Sequence, residues 1–352
     1  MRAARVGVAT VALAAAWAGL APQATDGCGP DLPTAVFTLQ RHPDAPLESF
    51  AAGRLGLIGP DFYQRYLVIA YRHLAGRAVD RAGGRALLGF GEAQEGSAYW
   101  QWVEVRRNYP GADSAVGFGA TRSIEDMKVD DYTFVTYDNC LEDALRTAAA
   151  TLAEREKRAG AGSPWFSDWL SGQDRVFANC SSDAWMPEPA PPGAPAWLVA
   201  DRAYQRAAAH FYAGRFDEAA RGFEGVAADR GSPWRAWAPY LVARAYTRMA
   251  TVRPGHRDID RPALERAEAQ ALRVVADPGL RQSHDAARRL LGFIRFRLRP
   301  EERLTELSRS LAAPRLPGSA AQDMIDLALL FDRFGQVRAE SRGGGRDGLE
   351  LA

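Results

Sequence analysis

The sequence predicts an all-α chain in which helix hairpins stack as an α-solenoid in the C-terminal half, preceded by a helical N-terminal region. Three observations predict it. Apolar residues recur at helical spacing through most segments beyond Pro46. The helical stretches come in pairs joined by turns marked with glycine or proline, as at Gly160 to Pro164 and at Gly214. Two successive pairs also repeat at an offset of 36 residues, from Ala207 to Ala243.

Bulk composition fits such a chain. With 352 residues, 47% of them hydrophobic and 25% charged, it has ordinary globular usage and enough length for one large or two modest packed units. Lysine plus arginine (44) nearly cancels aspartate plus glutamate (43). No global field therefore draws in nucleic acid or an anionic membrane. Lys128 and Lys157 are the only lysines, so arginine carries nearly all the positive charge.

Residues 1–24 read as a signal peptide. Arg2 and Arg5 precede an uncharged apolar run from Val6 to Leu20, and Gly19, Ala21 and Ala24 offer small residues for cleavage. A spanning helix needs about 20 apolar residues, and Pro22 and Asp26 interrupt the run too early. The expectation is a periplasmic or secreted protein that meets a membrane only through its signal peptide or a lipid on Cys28. Asp26 makes the sequence before Cys28 a poor lipidation site.

Residues 29–184 form the helical N-terminal region. Pro46 to Leu57 and Asp61 to Leu74 have helical spacing, with Phe62, Tyr66, Ile69 and His73 on one face. Ala78 to Asp131 is glycine-rich and reads as loops around one helix, Ala98 to Arg107. Leu141 to Arg158 and Trp165 to Ala178 then make a hairpin, turning at Gly160, Gly162 and Pro164. Exported thiols tend to pair, and an antiparallel hairpin brings its ends together, so Cys140 and Cys180 are the predicted disulfide and Cys28 is left over. The first helix looks the longer, which works against that geometry. Closing a loop of about 40 residues contributes about 4 kcal/mol on the chain-entropy account. Pro187, Pro189, Pro191, Pro192 and Pro195 follow. Such a run resists helix and strand alike, so 185–196 is taken as a linker between domains, or as a rigid connector inside one continuous stack.

Residues 197–334 carry the repeats. Gly214-Arg215-Phe216-Asp217-Glu218-Ala219-Ala220-Arg221-Gly222-Phe223 closely resembles the turn and second helix of a tetratricopeptide repeat. Gly214 matches the helix-ending glycine, Phe216 the aromatic two residues on, and Ala219 the small residue at the helix crossing. Phe223 and Val226 continue the stripe, and Ala203, Ala207 and His210 supply the facing positions, with His210 read as a packing residue. The family period is about 34 residues, close to the spacing observed. A second unit places Ala238, Leu241, Val242, Ala245 and Met249 on one face, then an insertion from Thr251 to Arg261 and a helix opening at Pro262. A third places Ala287, Leu290, Leu291, Ile294 and Leu298 before Leu304, Leu307 and Leu311. Ala320 to Phe334 adds one more amphipathic helix, and 335–352 reads as a disordered tail.

The resemblance implies that first helices of successive units line a concave groove. Carrying the family's groove positions across selects Tyr204, Ala208, Phe211 and Tyr212, then Tyr240, Arg244, Thr247 and Arg248, then Arg288, Gly292, Arg295 and Phe296. Tyr204, Tyr212, Tyr240, Arg244, Arg248, Arg288 and Arg295 are the candidate binding residues. Guanidinium forks suit carboxylates, so the implied partner is a protein or peptide, acidic in character. No catalytic residue, metal site or cofactor is implied. The alternative is a cell-envelope hydrolase: Glu48-Ser49 followed by Gly56-Leu57 resembles the lytic transglycosylases, although Ile58-Gly59-Pro60 stands where that family has a Met-Gln stretch. His256-Arg257-Asp258-Ile259-Asp260 reads as a solvated loop, and Gly89-Phe90-Gly91 and Gly117-Phe118-Gly119 as turns. Trp165, Trp169, Trp185, Trp197, Trp234 and Trp237 read mostly as core.

Overall fold

The computed structural model describes residues 68, 71–72, 75–77, 98–112, 121–128, 134–181, 185–252 and 259–343. The signal peptide, Cys28, the helix Pro46 to Leu57 with Glu48, both glycine pairs and His256 to Asp258 lie outside the described residues. Of the helix expected over Asp61 to Leu74, Val68, Tyr71 and Arg72 are described, and all three are helical.

The described residues are predominantly helical. The helices are α1 (Ala98–Arg107), α2 (Glu142–Ala159), α3 (Pro164–Ala178), α4 (Ala196–Tyr212), α5 (Phe216–Ala228), α6 (Ala238–Val252), α7 (Arg261–Ala276), α8 (His284–Leu298), α9 (Pro300–Ala312) and α10 (Ala320–Gly343). Each packs mainly on its neighbours in sequence, so the core builds up as a row of adjacent helix contacts.

The segment expected to be loops departs from the all-α reading. β1 (Thr121–Lys128) pairs antiparallel with β2 (Phe134–Asp138), in a register that sets Thr121 opposite Asp138 and Ser123 opposite Thr136. The second strand, Phe-Val-Thr-Tyr, lies just beyond the glycine-rich stretch and is rich in β-branched and aromatic residues, a signal too short to establish a strand without sight of its partner. At the other end α10 runs to Gly343, past the expected stop at Phe334. Residues 336–342 contain no glycine or proline to end a helix.

Local sequence explains where the helices begin and turn. Ser163 accepts from the Trp165 amide and Pro164 follows it, opening α3. Asp260 caps α7 through the Ala263 amide, again ahead of a proline. Gly214 turns α4 into α5 at φ +76°, a conformation that penalises any Cβ. The tightest approach in that hairpin lies one turn beyond Ala219, because a Cβ on Gly222 would meet the Ala207 Cβ at 2.8 Å. Ala207, Phe216, Ala219, Phe223 and Val226 are buried as the repeat pattern requires, whereas Ala203 is exposed.

A single buried cluster extends from Ala98 in α1 to Leu298 in α8, and the proline-rich segment does not interrupt it. That segment is bonded down instead. The Pro187 carbonyl accepts from Arg206 at 2.6 Å, the Met186 carbonyl from Arg175 at 3.2 Å and the Glu188 carbonyl from Arg202. Arg202 also pairs with Asp168 of α3 at 2.6 Å. Across the same junction Arg155 of α2 grips Asp201 of α4 with two hydrogen bonds, 2.5 and 3.1 Å, and Trp234 donates its indole N–H to Asp201 at 2.8 Å.

A second cluster joins α9 and α10, and Val68 packs against it. Nearby, Arg72 donates to the carbonyls of Leu311 (2.6 Å), Ala313 (2.7 Å) and Pro314 (3.3 Å), and Arg77 donates to that of Ala312. These carbonyls sit at the C-terminus of α9, where they lack partners within the helix and the macrodipole favours a cation.

Candidate functional site

The wall of the site starts at the disulfide. Cys140 and Cys180 are joined, with their Cα atoms 5.5 Å apart. The helices they flank differ in length, 18 against 15 residues, but each cysteine lies two residues outside its helix, in backbone free to take up the difference. Asn139 tightens the junction by donating to the carbonyls of Asn179 (3.2 Å), Cys180 (3.0 Å) and Tyr212 (2.8 Å). The end of β2 and the first turn of α2 are thereby held against the end of α4.

Beside this wall lies an open cleft of about 750 Å³. Tyr137, Leu141 and Asp143 form its rim, α6 contributes Tyr240, Arg244, Thr247 and Arg248, and α8 contributes Arg289, Phe293 and Arg297. A chamber of about 270 Å³ adjoins it and shares Asp143, Tyr240, Arg244 and Arg289. Its other walls are largely aromatic, with Tyr204, Phe211 and Tyr212 of α4, Phe223 of α5, and Trp234 and Trp237 set among smaller residues such as Ala208 and Leu241.

Cations and rings alternate along the cleft. The Arg248 guanidinium lies 4.8 Å from the Tyr137 ring centroid and 5.8 Å from that of Phe211; Arg244 lies 5.4 Å from Phe211 and 5.9 Å from Tyr240. Each ring face offers negative quadrupole density to a cation. Asp143 pairs with Arg244 at 3.4 Å. Burial works against the charge on Arg244, but Tyr240, Asp143, Tyr212 and Tyr204 together more than offset it and its pKa is raised. Burial pushes the Tyr212 phenol up to about 12 and raises that of Tyr204 as well, so both remain neutral hydroxyls near pH 7. Tyr204 stacks on Trp234 at 4.2 Å between centroids, which fixes the inner wall.

Of the candidate binding residues, Tyr204, Tyr212, Tyr240, Arg244 and Arg248 line the cleft or its chamber. Arg288 and Arg295 do not. Arg288 is on the outer surface with Asp285, and Arg295 bridges Glu268 of α7 and Glu306 of α9. Gly292 is buried against Arg303. In α8 the cleft-facing positions are shifted by one, to Arg289, Phe293 and Arg297. The cause is the packing stripe, which runs through Ala287, Leu291, Ile294 and Leu298 and leaves Leu290 at the cleft edge. The rim residues Tyr137, Leu141 and Asp143 precede the repeats, so no repeat-based reading could reach them. Among the six tryptophans singled out, Trp169 is buried, Trp165 and Trp197 are partly buried against the core, Trp185 is exposed, and Trp234 and Trp237 face the chamber.

His210 packs at the end of α4, where its Nδ1 accepts from Arg215 Nε at 3.0 Å. Burial, and then the Arg215 charge, hold its pKa below the ordinary value. The folded state thus favours neutral imidazole. The stability this contributes is complete above the unfolded value of about 6.5 and is lost as pH falls from there through the folded pKa. Melting curves at pH 7.5 and 5.5 should show a smaller acid-induced loss for His210→Gln than for the wild type, and equal losses would remove His210 from the account.

Among the described residues no group of three His, Cys, Asp or Glu side chains is placed to hold a metal ion, and no helix is long and apolar enough to cross a membrane. Compared with protein-family models, with curated proteins and with solved structures, the chain matches none of them.

Proposed function

We propose that the chain is an exported binding module, a tetratricopeptide-like α-solenoid whose groove takes an acidic peptide segment of a partner protein. The observation that carries this is the convergence of Arg244, Arg248, Arg289 and Arg297, from two different helices, on a single aromatic cleft. An extended peptide gains its affinity in such a groove from a few buried anchors and its selectivity from charge. Sequential helix packing, the glycine turn at Gly214 and the close crossing of Gly222 over Ala207 support the repeat architecture. The disulfide supports export, since such bonds persist in oxidising compartments.

The test is a titration of the mature protein with a fluorescein-labelled peptide of alternating glutamate and leucine, against its glutamine counterpart. The glutamate peptide should bind more tightly, and Arg244→Ala/Arg248→Ala should weaken it by at least about tenfold, since charge-assisted contacts contribute about 1.5–3 kcal/mol each. Equal binding of both peptides, or unchanged affinity in the double variant, would exclude the acidic groove. A pull-down from envelope extract with both proteins at equal salt then identifies the natural partner.

A further inference from the structure

Among the described charged groups that line the cleft, Asp143 is an acid beside four arginines. Its carboxylate lies 3.4 Å from Arg244, longer than the 2.7–2.9 Å of a tight charged pair, and its side chain is 60% exposed while that of Arg244 is 14% exposed. Arg244 forms no other ion pair with a described residue. One guanidinium is thus nearly buried between Phe211 and Tyr240, and its one counter-ion among the described residues is a solvated carboxylate that water could receive back at little cost. Arg289 lies on the same boundary between cleft and chamber, exposed and without an ion pair to any described residue. Immediately inside is the chamber of about 270 Å³, whose charged lining groups among the described residues are Asp143, Arg244 and Arg289.

We propose that Asp143 is a built-in stand-in for the ligand: its carboxylate holds the place on Arg244 that a peptide carboxylate takes, while the adjacent apolar side chain of that peptide enters the chamber. This rests on the acidic-peptide reading and specifies it. The recognised element is a glutamate or aspartate next to a bulky apolar residue, and Asp143 sets the threshold by competing with it. When the ligand arrives, Arg244 exchanges one carboxylate for another, Arg289 can share the incoming one, and the Asp143 side chain moves into water.

Three short labelled peptides serve as probes, carrying Glu-Leu, Gln-Leu or Glu-Ala between glycine and serine flanks, each titrated into the full mature chain as wild type, Asp143→Asn and Arg244→Ala. Asp143→Asn should bind the Glu-Leu peptide about two- to fivefold more tightly than wild type, the range available from a partly exposed ion pair. It should leave the Gln-Leu peptide unchanged, and Glu-Ala should bind more weakly than Glu-Leu to both proteins. Because the pair is long and Asp143 is largely exposed, the variant should lose no more than about 1 kcal/mol of stability, the worth of an exposed pair, and should remain folded through the titration. If wild type binds Glu-Leu but Asp143→Asn binds it no better, or gains equally for Gln-Leu, the stand-in is refuted while the groove reading survives. If wild type and Asp143→Asn both bind none of the peptides, both ideas fail together.

Discussion

Asp201→Ala is expected to destabilise the protein by about 3 kcal/mol, because it removes the buried counter-charge of a buried guanidinium and leaves it only the exposed Glu154 at 3.3 Å. Arg155 is 8% exposed and spends two hydrogen bonds on Asp201, and the Trp234 indole N–H depends on the same carboxylate. The loss would reach the chamber as well, since Trp234 is the ring on which Tyr204 stacks. Urea unfolding should show the full effect in the single variant. The joint replacement Arg155→Met/Asp201→Leu should recover most of it, because two apolar groups of similar size remove both charges at once. A single variant within 1 kcal/mol of wild type (about the worth of an exposed pair) would mean that the pair is not desolvated.

The second large effect is expected from Cys140→Ala/Cys180→Ala. The bond spans a sequence separation of 40, and opening such a loop costs about 4 kcal/mol on the chain-entropy account. In a domain whose total stability is of order 5–15 kcal/mol, this brings the melting transition close to physiological temperature. The consequence is more than global. Tyr137 and Leu141 sit within three residues of Cys140, and Asp143 within the next turn, so the cleft rim should loosen before the distal helices do. Peptide titration at a temperature where the variant is still folded should show weakened binding. Wild-type affinity there would separate the crosslink from the shape of the cleft.

What the sequence made legible follows from the range of each signal. Helix existence is local: Ala98–Arg107 matches its expected span, and α2, α3 and α7 start within one residue of theirs. The disulfide was legible because a hairpin is a short-range object with cysteines at its open end. The cleft positions in α4 and α6 could be carried across because the glycine turn at Gly214 anchors their register. In α8 no such turn precedes the helix, and the choice between Leu290 and Leu291 as the buried residue depends on how α7 and α9 crowd it, which local pattern does not encode. The hairpin β1–β2 was missed for the same reason, since a strand is defined by a partner elsewhere. The arginines carried their own ambiguity. In a chain with almost no lysine, Arg244, Arg295 and Arg303 look alike, and only tertiary structure assigns the first to the cleft and the other two to ties with Glu268, Glu306 and Asp326.

Arg72 gives this neighbour-to-neighbour architecture a property that its helices alone would lack. A row of units in contact only with the next one can fray from an open end, each unit opening at little more than its own cost. The hydrogen bonds from Arg72 to Leu311 and Ala313 span sequence separations of 239 and 241. They tie the end of α9 to a segment far from it in sequence. The expected signature is in amide hydrogen exchange: α9 and α10 should exchange in step with the interior helices, and Arg72→Met should convert them into an independently opening end. Bonded in this way, the C-terminal end of α9 opens only when Arg72 releases its carbonyls, so a helix far along the row acquires the protection of an interior one.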